Sequence, residues 1–274
     1  MQRALCYLKP DVTLTGGLFG ALGALGESGY EICAYQVIHM NDQLYRLAYE
    51  NGFDAARDSW HVNRRFARVG PWIALLLSHE AGGDIQERLK AEQGPAIPSK
   101  TSCLRAKIGH LNRIQNAIHV PDTSQEATEQ ASVLFPGEGF AEIDGNPQPK
   151  DVVAEFRRHG YQCRRRSLKA FQAVLKQRVA HRSTRISRVA SPGGRGLRSH
   201  AGVAIRSAIE QLVLSPSERD LLRTLLIDDF FDGPNRLLKA KNVAEALSRN
   251  FIHLTEWDQA TLFGFFAYPT IESR

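Results

Sequence analysis

The 274-residue sequence is poor in cysteine, with four residues scattered at Cys6, Cys33, Cys103 and Cys163. No C-x-x-C pair and no zinc-type spacing joins them, which excludes a disulfide framework or a structural zinc site as the organising device. Reduced thiols in a cytoplasmic protein are the expectation. Long hydrophobic runs are also missing. The longest, 71–77, falls far short of the ~20 apolar residues that a bilayer-spanning helix needs, so no membrane partner is expected. Near Met1, the residues Lys9, Pro10 and Asp11 interrupt the only apolar stretch, and no signal-peptide core follows. A third scarcity is local. Residues 157–207 contain none of the 29 Asp and Glu but 14 of the 35 Lys and Arg. The net charge is only +6, so the rest of the chain is net acidic. Such a stretch suits an acidic partner. It has only Tyr161 and Phe171 as aromatics, so nucleic acid would be held there by phosphate charge and not by stacking.

What is present reads as two regions. A hydrophobic content of 43% is enough to bury a core without covalent staples. Ala4 to Leu8 is a strand stopped by Pro10. Residues 17–28 keep helical spacing of apolar side chains despite Gly17, Gly20, Gly23 and Gly26. That glycine run is neither G-x-G-x-x-G nor a phosphate-binding loop with Lys-Ser/Thr, so close packing is its better account. Residues 31–37 are strand-like, Asn41 caps a helix, a second helix covers about 53–68, and 72–77 suits a buried central strand. Gly83 opens a further helix, 94–102 is loop, and a last helix spans about 124–135. The order βαββαβ, with inserted helices, predicts an α+β ferredoxin-like domain over residues 1–136 with helices on one face of an antiparallel sheet. Residues 137–202 read as a linker and basic helical segment, and 203–274 as a small helical domain. There, Ser215-Pro216-Ser217-Glu218 is a capping box with proline at the first helical position. Thr255 caps a later helix. An EF-hand from Asp232 fails, because Pro234 and Arg236 occupy positions that need oxygen ligands.

Three segments carry chemistry when taken together: Tyr7-Leu8-Lys9-Pro10-Asp11, the pair Arg88 and Arg105 flanking a Gly/Pro-rich loop, and Asn116-Ala117-Ile118-His119 followed by Asp122 and a helix. With these residues in this order the chain resembles the nucleoside diphosphate kinase family over residues 1–136. The match is nearest to divergent members carrying a Leu-Arg-Ala … Ile-Gln-Asn-Ala-x-His string, here residues 104–119. The resemblance implies a ping-pong phosphotransferase that moves a γ-phosphoryl from NTP to NDP through a phosphohistidine on His119. It implies that Lys9, Arg88 and Arg105 clamp phosphates, that Asn116 bonds the ribose side, and that Tyr49 positions His119. An aromatic would stack on the base, Trp60 first and Phe53 as the alternative. Mg²⁺ would arrive on the nucleotide, with no protein ligand of its own.

Departures from the family pattern imply a slower enzyme. Val120-Pro121-Asp122-Thr123 replaces Gly-Ser-Asp-Ser, Gly94 stands where a threonine contacts phosphate, one residue is inserted between Arg105 and Asn116, and Gln130 stands where a glutamate orients the histidine, with Glu129 one residue away. Losing that carboxylate should weaken control of the imidazole tautomer. The resemblance also implies an alternative. Family members with extra domains occur in cilia and flagella, which makes an axonemal scaffold docked on microtubules conceivable, with residues 157–207 against acidic tubulin. A homo-oligomer assembled through the sheet edge is a further implication.

Overall fold

Four strands carry the N-terminal fold: β1 (Ala4–Leu8), β2 (Tyr30–Ile38), β3 (Trp72–His79) and the two-residue β4 (Ile118–His119). They form one antiparallel sheet in the order β2-β3-β1-β4. The computed structural model describes residues 3–49, 58–96, 102–110, 114–136 and 146–160, and beyond these chiefly 214–223 and 236–250, with scattered positions between 175 and 262. Helices α1 (Pro10–Thr13) and α2 (Leu18–Glu27) follow β1. α3 (Asp42–Tyr49) and α4 (Asp58–Ala67) are inserted between β2 and β3, and α5 (Ile85–Gln93) and α6 (Leu104–Ile108) lie between β3 and β4. α7 (Ser124–Leu134) closes the sequence of core elements. With α2 and α5 as the two crossovers, this is the ferredoxin-like βαββαβ core of an α+β fold.

The pleat explains the core. Leu5, Tyr7, Trp72, Ala74 and Leu76 point to one face, where Tyr45 and Ala48 of α3 and Ala127, Ala131 and Leu134 of α7 meet them. Their neighbours Cys6, Leu8, Ile73, Leu75 and Leu77 point to the other face and are equally buried, with α2 against β2 and α5 against β1. Helices therefore cover both faces, not one. This is why β3 reads as an unbroken apolar run and lacks alternation.

Local signals set most helix starts. Asn41 Oδ1 accepts the Leu44 N–H at 2.8 Å, Asp84 accepts from the N–H groups of Gln86 and Glu87 at 2.9 and 3.0 Å, and Thr123 Oγ1 accepts from Glu126 at 3.2 Å. Each satisfies a helix N-terminal donor that has no intrahelical partner. Two short helices, α1 and α6, do not announce themselves in the sequence. At four and five residues, neither length nor periodicity could mark them.

The chain divides into two compact units, Met1–Arg164 and Arg165–Arg274. α8 (Pro149–Arg158) belongs to the first, beyond the 1–136 boundary that the sequence suggests. It buries Val152 and Phe156 and packs on α2 and β2. In the second unit, α9 (Pro216–Arg223) and α10 (Arg236–Arg249) are described. The capping box forms, with Ser215 N–H donating to Glu218 Oε2 at 2.9 Å. Thr255 and Asp258 make the reciprocal pair of a second cap. Most of the linker and nearly all of the basic 157–207 segment, on which the tubulin expectation rests, lie outside the described residues, as do Phe53 and Asp232. Among the described residues no helix is long and apolar enough to cross a membrane.

Candidate active site

The Lys-Pro-Asp sequence ends β1 and builds one wall of the site. Pro10, with no N–H, sits at the first position of α1, where none is needed. Asp11, in the first turn and fully buried, accepts the Ala117 N–H on Oδ2 at 2.8 Å. Lys9 N–H donates to Ala117 O at 2.9 Å. The Lys9 ammonium donates to Ile114 O at 2.5 Å and to Asn116 Oδ1 at 2.7 Å, and lies over the rings of Phe66 and Trp72. These bonds clamp residues 114–117 against the end of β1.

The clamp forces a strained turn. Ala117 has φ of 69°, and Ile118 N–H donates to Asn116 O at 2.8 Å, which is the rare γ-turn of positive φ. A non-glycine residue held there costs on the order of 1–3 kcal/mol and persists only where its surroundings over-determine it. The turn sends Ile118 and His119 into β4, opposite Leu8 and Tyr7.

His119 is half-buried. Its ring lies 4.4 Å from that of Tyr49 at 35° and 5.7 Å from that of Tyr7 at 34°. Nε2 is 2.9 Å from Ala48 O. A carbonyl oxygen only accepts, so Nε2 must carry the hydrogen, and the neutral ring keeps its lone pair on Nδ1. Burial first, then the charges of Lys90 and Lys9, hold its pKa well below that of a free histidine, with Arg105 adding to the effect and the Ala48 bond opposing it. The ring is neutral at pH 7. Tyr49 is pushed upward by burial and is neutral as well. Burial lowers Lys9 to about 8, opposed by Asp11 and aided by Arg105.

Helix α5 supplies a cation that the sequence reading does not name. Gln86, Lys90 and Gln93 recur at i, i+4 and i+7, one face of a helix. They donate in turn to Pro121 O at 3.2 Å, Val120 O at 2.9 Å and Ile118 O at 3.0 Å. Lys90 also pairs with Asp122. Arg88, two positions from Lys90, lies well round the helix, 43% exposed, and bonds Glu92 at 3.0 Å. The structure thus brings Lys9, Lys90 and Arg105 to bear on His119, and Arg88 is not among the charges acting on it. The spacing of the three polar residues on an otherwise ordinary amphipathic helix is the signal that could have found Lys90. We expect Lys90→Ala to slow phosphotransfer by about 10–100-fold, and Arg88→Ala to leave it within about twofold, since an exposed i,i+4 pair contributes little. Initial rates of the two variants check this.

Arg105 is buried, its pKa lowered to about 10 by burial against the opposing effects of Tyr49, Cys103 and Asp11. It donates to Gly94 O at 2.7 Å and Ile118 O at 3.3 Å. Gly94 ends α5 at φ +78°, and a Cβ there would meet Cys103 Cβ at 2.6 Å. A Cβ is excluded there, and the Gly94 carbonyl fixes the guanidinium. Asn116 is buried and engaged with Lys9. Trp60 lies on α4, with its side chain outside the described residues. Asn63, on the same helix, reaches Tyr45 Oη at 3.3 Å. Among the described residues no group of three His, Cys, Asp or Glu could hold a metal. The three cations fit an anionic ligand.

Residues 2–140 match the profile of the family described as Nucleoside diphosphate kinase. The nucleoside diphosphate kinase of Streptomyces coelicolor (strain ATCC BAA-471 / A3(2) / M145) is 26% identical over 141 residues, which is 50% of this chain and 97% of the relative. That of Histophilus somni (strain 129Pt) is 22% identical over 135 residues, 49% and 93% respectively. A crystal structure of the Aquifex aeolicus nucleoside diphosphate kinase covers 50% of this chain and 96% of its own, at 24% identity and a TM-score of 0.43. With the profile matching half of its length, this chain belongs to the nucleoside diphosphate kinase family, a family of phosphotransferases.

Proposed function

We propose that the N-terminal unit moves a γ-phosphoryl group from a nucleoside triphosphate to a nucleoside diphosphate through a phosphohistidine on Nδ1 of His119. One observation carries the reading: a neutral imidazole whose Nε2–H is bonded to Ala48 O, with three cations acting on it. The Nδ1 lone pair attacks the γ-phosphorus in line. As the N–P bond forms, the bond to the β-bridging oxygen breaks, and the diphosphate departs with that electron pair. An acceptor diphosphate then attacks the phosphohistidine, and the lone pair returns to Nδ1.

The chain's own residues supply positioning and charge. Lys9, Lys90 and Arg105 would stabilise the charge spread over the transferred oxygens, and because they are already fixed they need little reorganisation. Lys9 uses two of its three donors on Ile114 O and Asn116, so a phosphate oxygen can take the third. Asn116 then serves the nucleotide through Lys9 as well as by any direct bond to the ribose. Tyr49 stacks on the ring and holds its plane. Trp60 is the proposed platform for the base. Mg²⁺ would enter on the nucleotide phosphates, whose charge it neutralises. Gly94 and Pro121 remove two groups that would otherwise meet the phosphate, which supports a reduced rate.

Steady-state kinetics with ATP and a second nucleoside diphosphate test the scheme. Parallel double-reciprocal lines are expected, since the first product leaves before the acceptor binds. Intersecting lines would mean direct transfer, with no enzyme-bound phosphate.

A further inference from the structure

Gln130, buried in α7, is the polar group nearest in role to an orienting carboxylate, yet its hydrogen bonds go elsewhere. Its Nε2 donates to Leu47 O at 3.0 Å, and its Oε1 accepts from Tyr7 Oη at 2.7 Å. The amide has only one workable orientation. Leu47 O cannot donate, so the NH₂ must face it, and Oε1 is then presented to the tyrosine. Leu47 and the next residue, Ala48, are the two residues before Tyr49, the last residue of α3. Gln130 takes the carbonyl of the first and His119 that of the second.

We propose that Gln130 is a positioning residue that, with Tyr7 behind it, holds the end of α3 so that Ala48 O fixes the Nε2–H tautomer of His119. A carbonyl thereby replaces the carboxylate as tautomer lock, and the lock is set by a neutral relay: Tyr7 to Gln130, Gln130 to the α3 terminus, the α3 terminus to the ring. The consequence for catalysis rests on the phosphohistidine reading above, but the tautomer claim stands independently of it.

Gln130→Met keeps length and removes both hydrogen bonds. Gln130→Glu is more discriminating. An ionised carboxylate would face Leu47 O with no hydrogen to give, whereas the protonated acid can donate one. The titratable groups around His119 are Tyr7 from β1, Lys9 at its exit, Asp11 from α1, Tyr49 from α3, Lys90 from α5, Arg105 from α6 and Asp122 before α7. Between about pH 5 and 7 Lys9 and Arg105 stay charged and Tyr7 and Tyr49 stay neutral. The introduced carboxyl is a titrating group that the wild type and Gln130→Met both lack.

The experiment is ¹⁵N NMR of the full chain labelled in histidine, with His119 assigned by comparison with His119→Asn, together with the initial rate of phosphoenzyme formation. The wild type should show the neutral Nε2–H form at pH 7. Gln130→Met should give a mixture of tautomers and phosphorylate about tenfold more slowly, the effect expected when the Leu47 link is lost from the relay, with KM for nucleotide unchanged. Tyr7→Phe, which removes only the outer link, should shift the tautomer in the same direction by less. Gln130→Glu should behave as wild type at the acid end and as Gln130→Met once ionised. A His119 tautomer identical in all variants at every pH would overturn the proposal. Shifted tautomers without phosphoenzyme in the wild type would leave it standing and remove the catalytic reading instead.

Discussion

His119→Ala is expected to abolish the acid-labile, alkali-stable phosphoprotein that ATP should form with the wild type, and with it all ping-pong turnover. Among the described residues His119 is the neutral imidazole on which three cations act, so the loss should be complete. A weaker but independent effect should appear in stability. The folded state holds His119 below its unfolded value. As pH falls through about 6.5, the unfolded chain therefore gains a proton that the folded chain refuses. Protons bound by the unfolded state alone favour unfolding, so the wild type should lose stability as pH falls from 7.5 to 5. His119→Asn should show less of that acid loss when both are unfolded with urea. A label that survives His119→Ala would place the phosphoryl group on another residue.

Lys9→Met carries the second large expectation, a fall of about 10²–10³-fold in kcat, the effect of deleting one fixed donor aimed at developing charge. Lys9 also gives the wild type a distinctive alkaline limit. Burial brings its pKa to about 8, and a lysine is a cation only below its pKa. Phosphotransfer should therefore hold to about pH 7.5 and decline as Lys9 loses its proton through about pH 8. Arg105, lowered only to about 10, remains charged over that interval. The declining limb should reflect one proton and vanish in Lys9→Met. If the wild type keeps its full rate to pH 10, Lys9 does not supply the charge.

Much of this architecture is legible in the residues because the signals are local. Proline after lysine stops β1. Asp84, Asn41 and Thr123 mark helix starts through side-chain oxygens three residues or fewer from the donors they satisfy. The apolar run at Trp72 is a strand buried on both faces, which an expectation of helices on one face misses. His119 and its approach are legible as well, because Lys9, Asn116 and the histidine fall in the order of a known pattern.

What is not legible depends on phase and on distant partners. Arg88 and Lys90 are both cations on one helix, and only the match of Gln86, Lys90 and Gln93 to the carbonyls of Pro121, Val120 and Ile118 shows which face meets the site. The role of Gln130 is hidden for another reason. Read against a family glutamate it looks like a loss, yet its two partners, Tyr7 and Leu47, are 123 and 83 residues away. The compensation is a backbone carbonyl, Ala48 O, which no side-chain pattern records. Gly94 likewise reads as a missing threonine until its carbonyl is seen holding Arg105.

The central claim is chemical: the group carried by this chain is attached to a single named nitrogen. The direct measurement is identification of the phosphohistidine isomer in phosphoprotein made with ATP, by ³¹P–¹⁵N correlation on histidine-labelled protein. The account predicts phosphate on Nδ1 of His119, with Nε2 still protonated. Phosphate on Nε2, or on any other residue, would contradict it.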